Sequence, residues 1–352
     1  MSLISTIGIV LVSIAGAYII FMLIMGLLPR KPILLQPLTK TKPHISTEPS
    51  SQKSLRKNIH FEVKGISLSA WLYLPENSTA NIPCIILAHG LGGTKDLGLD
   101  SYARRYQKEG FAVFVFDYRY LGESGGEPRQ LVWIPHQLKD WADAVEYVRN
   151  LKEIDPNKIA LWGTSLSGGH VIVTAAKYQN IACISAQVPL LDGAAGGMKL
   201  VKKMGFTYLL RMAFGHGLRD IVRSWLGLSS YKIPLVGQPH TVAAMADAEA
   251  WNAFNVLAPD NFINEICARI LIRMDKYHPI KYASNIRCPV LIQICDKDIT
   301  TTPEKLVKTA KNKLGTLAEV IHYPLDHFDI YLGDNFEKSV SDQIIFFKKH
   351  LL

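Results

Sequence analysis

Lys158-Ile159-Ala160-Leu161-Trp162-Gly163-Thr164-Ser165-Leu166-Ser167-Gly168-Gly169-His170 is the stretch whose reading decides the fold. A short apolar run ends in Gly-Thr-Ser, and small residues follow before a helix-forming segment. That is the layout of a strand-to-helix turn that holds a serine hydroxyl outward, the nucleophile elbow. The small residues have a steric origin. A strained turn brings strand and helix so close that only Gly or Ser fits on either side of its tip. The usual pattern is G-x-S-x-G; here Ser167 takes the last place, with Gly168 and Gly169 behind it. In this register Ser165 is at the tip and Ser167 is not.

Outward from the elbow, apolar runs alternate with helical segments. Ile59–Val63 and Ser67–Pro75 read as an antiparallel hairpin. Pro83–Ala88, Phe111–Phe116, Lys158–Gly163, Ile181–Val188, Pro289–Ile294 and Ala318–Tyr323 read as strands of one sheet. Runs that are apolar throughout predict parallel strands buried on both faces. His136–Leu151 carries Leu138, Trp141, Ala142, Val145 and Val148 at helical spacing. Alternating strand and helix predicts a doubly wound α/β sheet with helices on both faces. Residues 190–278 show no further strand of that sheet, so they are expected to form an inserted helical cap.

A serine needs a base, an acid that orients the base, and donors for the oxyanion. In a parallel sheet all of these lie at the carboxyl ends of strands. His327, just beyond Pro324 after the last strand, is the expected base; His322 lies inside that strand. Asp298 and Asp296 both follow the preceding strand. Asp298 is favoured because it lies farther into the loop before Pro303, whereas Asp296 is placed to cap the turn. The backbone N–H groups of Leu166 and of Leu91, in His89-Gly90-Leu91-Gly92-Gly93, are the expected oxyanion donors. Asp117 and Arg119 are expected to brace a loop. Gly92-Gly93-Thr94-Lys95 lacks the spacing of a phosphate loop. No cluster has metal spacing, and no cofactor or metal is expected.

Ile4 to Leu28 has no charged residue over 25 positions, enough to cross a ~30 Å hydrocarbon core as a helix. A cleaved signal would carry a basic start and a shorter core, so residues 1–28 are expected to be an uncleaved transmembrane anchor. Residues 29–58 hold seven Lys and Arg against Glu48 and read as a basic juxtamembrane linker. The positive flank predicts a cytoplasmic catalytic domain over 59–352. Much of the net charge of +9 sits in that linker. No basic-aromatic interleaving argues for nucleic acid. The five cysteines lack disulfide or metal spacing and mostly lie in apolar runs, as buried thiols do.

With these residues in place, the chain resembles the α/β-hydrolases over about residues 59–350. More narrowly, Asp117-Tyr118-Arg119-Tyr120-Leu121-Gly122-Glu123-Ser124-Gly125-Gly126-Glu127-Pro128-Arg129, the elbow, and His327-Phe328-Asp329-Ile330-Tyr331 are similar to a bacterial group. Its members are described as like acetyl-xylan esterases, X-Pro dipeptidyl-peptidases or fungal polyketide transferases. The resemblance implies a serine hydrolase with Ser165, His327 and Asp298 in the triad roles. Ser167 and Cys295 stand where the wider superfamily usually has glycine. The expected partner is a small acyl ester or thioester, and the apolar cap suits a hydrophobic one. An acyl or polyketide transferase on the same residues, a peptidase, and a non-catalytic binding protein are the other readings. An aspartate-nucleophile enzyme is excluded by Ser165 at the elbow.

Overall fold

A computed structural model describes residues 3–27, 56–76, 81–178, 180–298 and 303–352. Most of the expected linker, residues 29–55, lies outside the described residues.

Eight strands form the main sheet: β1 (Arg56–Val63), β2 (Ile66–Tyr73), β3 (Ile82–Ala88), β4 (Ala112–Phe116), β5 (Ile154–Thr164), β6 (Cys183–Gln187), β11 (Val290–Cys295) and β12 (Ala318–Tyr323). Between β6 and β11 lie four two-residue strands: β7 (Lys232–Ile233), β8 (Val236–Gly237), β9 (Met245–Ala246) and β10 (Ile266–Cys267). These pair only among themselves, and none joins the main sheet. The sheet order is β1-β2-β4-β3-β5-β6-β11-β12. The β1–β2 hairpin pairs antiparallel with β4, and every later pairing in the sheet is parallel.

The apolar runs became central strands because both faces are covered. All seven residues of β3 are buried, and its side chains alternate between two cores. Cys84 and Ile86 pack in the core that holds Trp141 and Val145 of α3 (Ile134–Arg149) and Val171 and Ile172 of α4 (Leu166–Lys177). Ile85 and Leu87 face α2 (Leu99–Lys108) and α11 (Gly333–Leu351) through Tyr102 and Phe347. Each fully buried Leu or Ile contributes roughly 1.5–3 kcal/mol. The hairpin begins at Arg56, three residues before the sequence places it, because the Arg56 guanidinium lies 4.4 Å over the Trp71 ring and extends the pairing.

The excursion after β6 is built from α5 (Gly193–Met204), α6 (Phe206–Met212), a π turn at Ala213–Gly217, α7 (Leu218–Trp225), α8 (Ala248–Leu257) and α9 (Ile270–Arg273). A buried ion pair holds it together: Arg269 donates to both oxygens of Asp220, at 2.7 and 3.0 Å. α10 (Glu304–Leu314) then links β11 to β12.

The uncharged N-terminal run is helical, α1 (Leu3–Leu27), about 37 Å long at 1.5 Å per residue. It packs against α7. Among the described residues no helix is long and apolar enough to cross a membrane; in α1, side chains are described only for residues 7–21 and 24.

Candidate active site

Ser165 sits between the end of β5 and the first turn of α4, with φ +56° and ψ −118°. A non-glycine residue there costs on the order of 1–3 kcal/mol, so its surroundings must enforce it. They do so through the backbone. Ser165 N–H donates to Gln187 O at 2.9 Å, and Ser165 O accepts from Leu190 N–H at 2.8 Å. The tight turn leaves no room at Gly163, where a Cβ would fall onto the Ser167 carbonyl. Ser167 is fully buried, and its hydroxyl is 2.7 Å from the Tyr118 hydroxyl, which accepts from Trp141 Nε1 at 2.8 Å. Ser167 is therefore a packing residue behind the elbow.

The structure contains two His–Asp pairs at the carboxyl edge of β11 and β12, each with a 2.7 Å contact. His327 Nδ1 pairs with Asp298 Oδ2, both side chains buried, at 2% and 5% exposure. His322 Nδ1 pairs with Asp296 Oδ1 in the open, at 41% and 49% exposure. Each candidate base is thus paired with one candidate acid, and burial separates the pairs. Only the His327 pair opens on the elbow: Ser165, Gly90, Leu91 and His327 line one cavity of about 30 Å³. With Nδ1 held by Asp298, Nε2 is the ring nitrogen left for proton transfer.

Burial opposes charge on His327, but Asp298, through its charge and hydrogen bond, and the charges of Glu249 and Asp247 outweigh it and raise the imidazole above its usual value. The loop after β3 is set by His89. Its Nδ1 accepts from Gly90 N–H at 3.1 Å, so Nε2 donates to Leu97 O at 2.6 Å. Burial holds this imidazole down to about 4, which keeps it in that neutral tautomer. Leu166 directly follows Ser165 at the start of α4, and Leu91 lines the cavity.

Asp117 and Arg119 brace loops, as expected. Asp117 accepts from Lys95 N–H, Lys95 Nζ and Glu123 N–H at 2.6, 2.8 and 3.0 Å. Arg119 Nε donates to Asp140 at 2.7 Å.

Two contacts from the excursion reach the pair, and the sequence carried no signal for either. Glu249 of α8 accepts from Phe328 N–H at 2.7 Å, next to His327. Lys199 of α5 donates to the Asp298 carbonyl oxygen at 2.7 Å. Such contacts join residues 79 and 99 positions apart, and no local pattern announces them. Glu249→Gln keeps the acceptor for Phe328 and removes one negative charge facing His327. If the neutral imidazole is the working form, kcat/KM falls as pH drops through the raised His327 pKa, and the variant moves this acid limb to lower pH. A pH–rate profile in which the limb stays put or rises would count against that account.

Comparison with known proteins places the chain in a family. The BD-FAE family matches residues 71–235. The quorum-quenching protein AidA of Acinetobacter baumannii is 38% identical over 83% of this chain and 94% of its own length. The chain belongs to the α/β-hydrolase superfamily. The thiohydrolase aneE of Aspergillus aculeatus is 28% identical over 85% of this chain and 95% of its own. The α/β hydrolase GrgF of Penicillium superposes with a TM-score of 0.70 at 21% identity, covering 84% of this chain and 99% of its own. As an α/β-hydrolase, the chain is an enzyme of hydrolase or esterase type.

Proposed function

We propose that this hydrolase is a serine enzyme acting on an acyl ester or thioester. Ser165 Oγ attacks the carbonyl while His327 takes its proton. His327 then gives that proton to the departing alcohol or thiol as the adduct collapses to the acyl-enzyme, leaving the imidazole neutral again. Asp298 holds the imidazole in one tautomer and stabilises its charged form, and the Leu91 and Leu166 N–H groups receive the oxyanion. Water activated by His327 then releases the acyl group. The observation that carries this reading is a serine at φ +56° sharing a cavity with a buried His–Asp pair. The excursion over 190–278 acts as the cap: its Met245, Phe254 and Leu257 line the site and suit an apolar acyl group. A relative named a thiohydrolase supports thioesters beside esters.

Labelling by a fluorophosphonate, lost in Ser165→Ala, tests the nucleophile. Rates on p-nitrophenyl esters and acyl thioesters of increasing chain length test the substrate class. Activity confined to acetyl groups would reject an apolar acyl substrate, and acyl transfer to added alcohol or thiol outpacing hydrolysis would reassign the enzyme as a transferase.

The same reading makes α1 a single-pass anchor, followed by a basic linker and a cytoplasmic catalytic domain. The uncharged sequence from Ile4 to Leu28 and the basic flank after it support this. The chain should then stay with membranes through alkaline carbonate washing. Recovery in the soluble fraction would leave α1 as a helix folded onto α7.

A further inference from the structure

A second cavity, much larger than the catalytic one, reaches α4 at Val173. It is a half-open groove of about 870 Å³, within the range of ligand sites. Neither Ser165 nor His327 lines it. Its walls are apolar, formed by Ile134, Val173, Ile221, Val222 and Ile272; Tyr18 and Ile19 border it where α1 lies on α7, an arrangement the proposal does not require. One cation is set into this lining. Arg273 lies with its guanidinium 4.1 Å over the Trp133 ring, and among the described residues its Nε is buried without a hydrogen-bond partner. Asp220, the carboxylate that acts on it electrostatically, is already held by Arg269. Burial, with the charge of Arg269, keeps Arg273 below its usual value despite Asp220. That is the condition of a cation short of countercharge. Lys276 and Lys281 are exposed at the rim and add positive charge.

We propose that this groove binds the anion of a long-chain fatty acid, its carboxylate on Arg273 and its alkyl chain along the apolar walls. A guanidinium meets a carboxylate through two parallel hydrogen bonds, and its weak hydration suits a partly dry site. A neutral lipid would bring no countercharge to the guanidinium. A phospholipid would present a bulkier phosphate head and two chains to the same cation. The proposal needs the groove and Arg273 alone, so it stands or falls apart from the chemistry assigned to Ser165.

The test uses the full chain in dodecylmaltoside, titrated with the fluorescent fatty acid cis-parinaric acid and then with competitors. Palmitate should displace the probe, and hexadecanol should compete at least about tenfold more weakly. Arg273→Gln should weaken probe binding by about tenfold, with Arg273→Lys between, while turnover of a short p-nitrophenyl ester is retained as evidence of folding. Lys276→Glu and Lys281→Glu, at exposed positions, should each weaken binding by a smaller factor. Ser165→Ala should bind the probe like the parent, which separates this groove from the catalytic cavity. Equal competition by palmitate and hexadecanol, unchanged binding in Arg273→Gln, or displacement by phosphatidylglycerol but not palmitate would each overturn the proposal.

Discussion

Ser165→Ala lowers kcat by about four to six orders of magnitude on any substrate the enzyme turns over, and leaves the fold intact. On the proposed mechanism Oγ is the atom that forms the acyl-enzyme, and alanine lacks it. Alanine also relieves none of the backbone strain, because the Gln187 and Leu190 contacts that impose it are made by main-chain atoms. The matched control is Ser167→Ala. It deletes a hydroxyl buried against Tyr118, at a cost of about 1 kcal/mol in stability, and keeps activity within a few-fold of the parent. Steady-state kinetics beside thermal unfolding read both effects. Full activity in Ser165→Ala, or its loss in a folded Ser167→Ala, would move the nucleophile.

Asp298→Asn lowers kcat by about 10⁴-fold, because an amide beside Nδ1 favours the tautomer that cannot accept the serine proton at Nε2. Asp296→Asn changes activity by less than about twofold, since it alters only an exposed pair of the kind that contributes about 0–1 kcal/mol. The two variants remove the same atom from two His–Asp pairs of equal length. A comparison of their rates therefore isolates burial and access to Ser165. Comparable losses in both would mean that the loop after β11 acts as a unit and that neither aspartate has a private role.

Most of the sheet was legible because buried parallel strands are apolar at every position, as in β3 and β11, all of whose residues are buried. Its edge was less so. Arg56 and Lys57 look like part of a basic linker, and only pairing with Leu72 and Tyr73 makes them a strand. The small residues around Ser165 were readable for a steric reason that acts within six positions of chain.

By itself, then, the sequence determined the elbow register, the order of strands and helices, and the loops that bear Leu91, Asp298 and His327. All of these follow from local sterics and from the periodicity of burial. It favoured Asp298 over Asp296 and His327 over His322 on position along the loop. The tertiary structure alone showed that the four residues pair off, one pair dry beside Ser165 and the other in water. It alone brought Glu249 and Lys199 onto the loops of His327 and Asp298, and set the Arg273 guanidinium over Trp133 in an apolar groove. Hydrogen bonds and ion pairs across 29 to 99 residues depend on how the layers pack, and packing is a property of the whole chain rather than of any stretch of it.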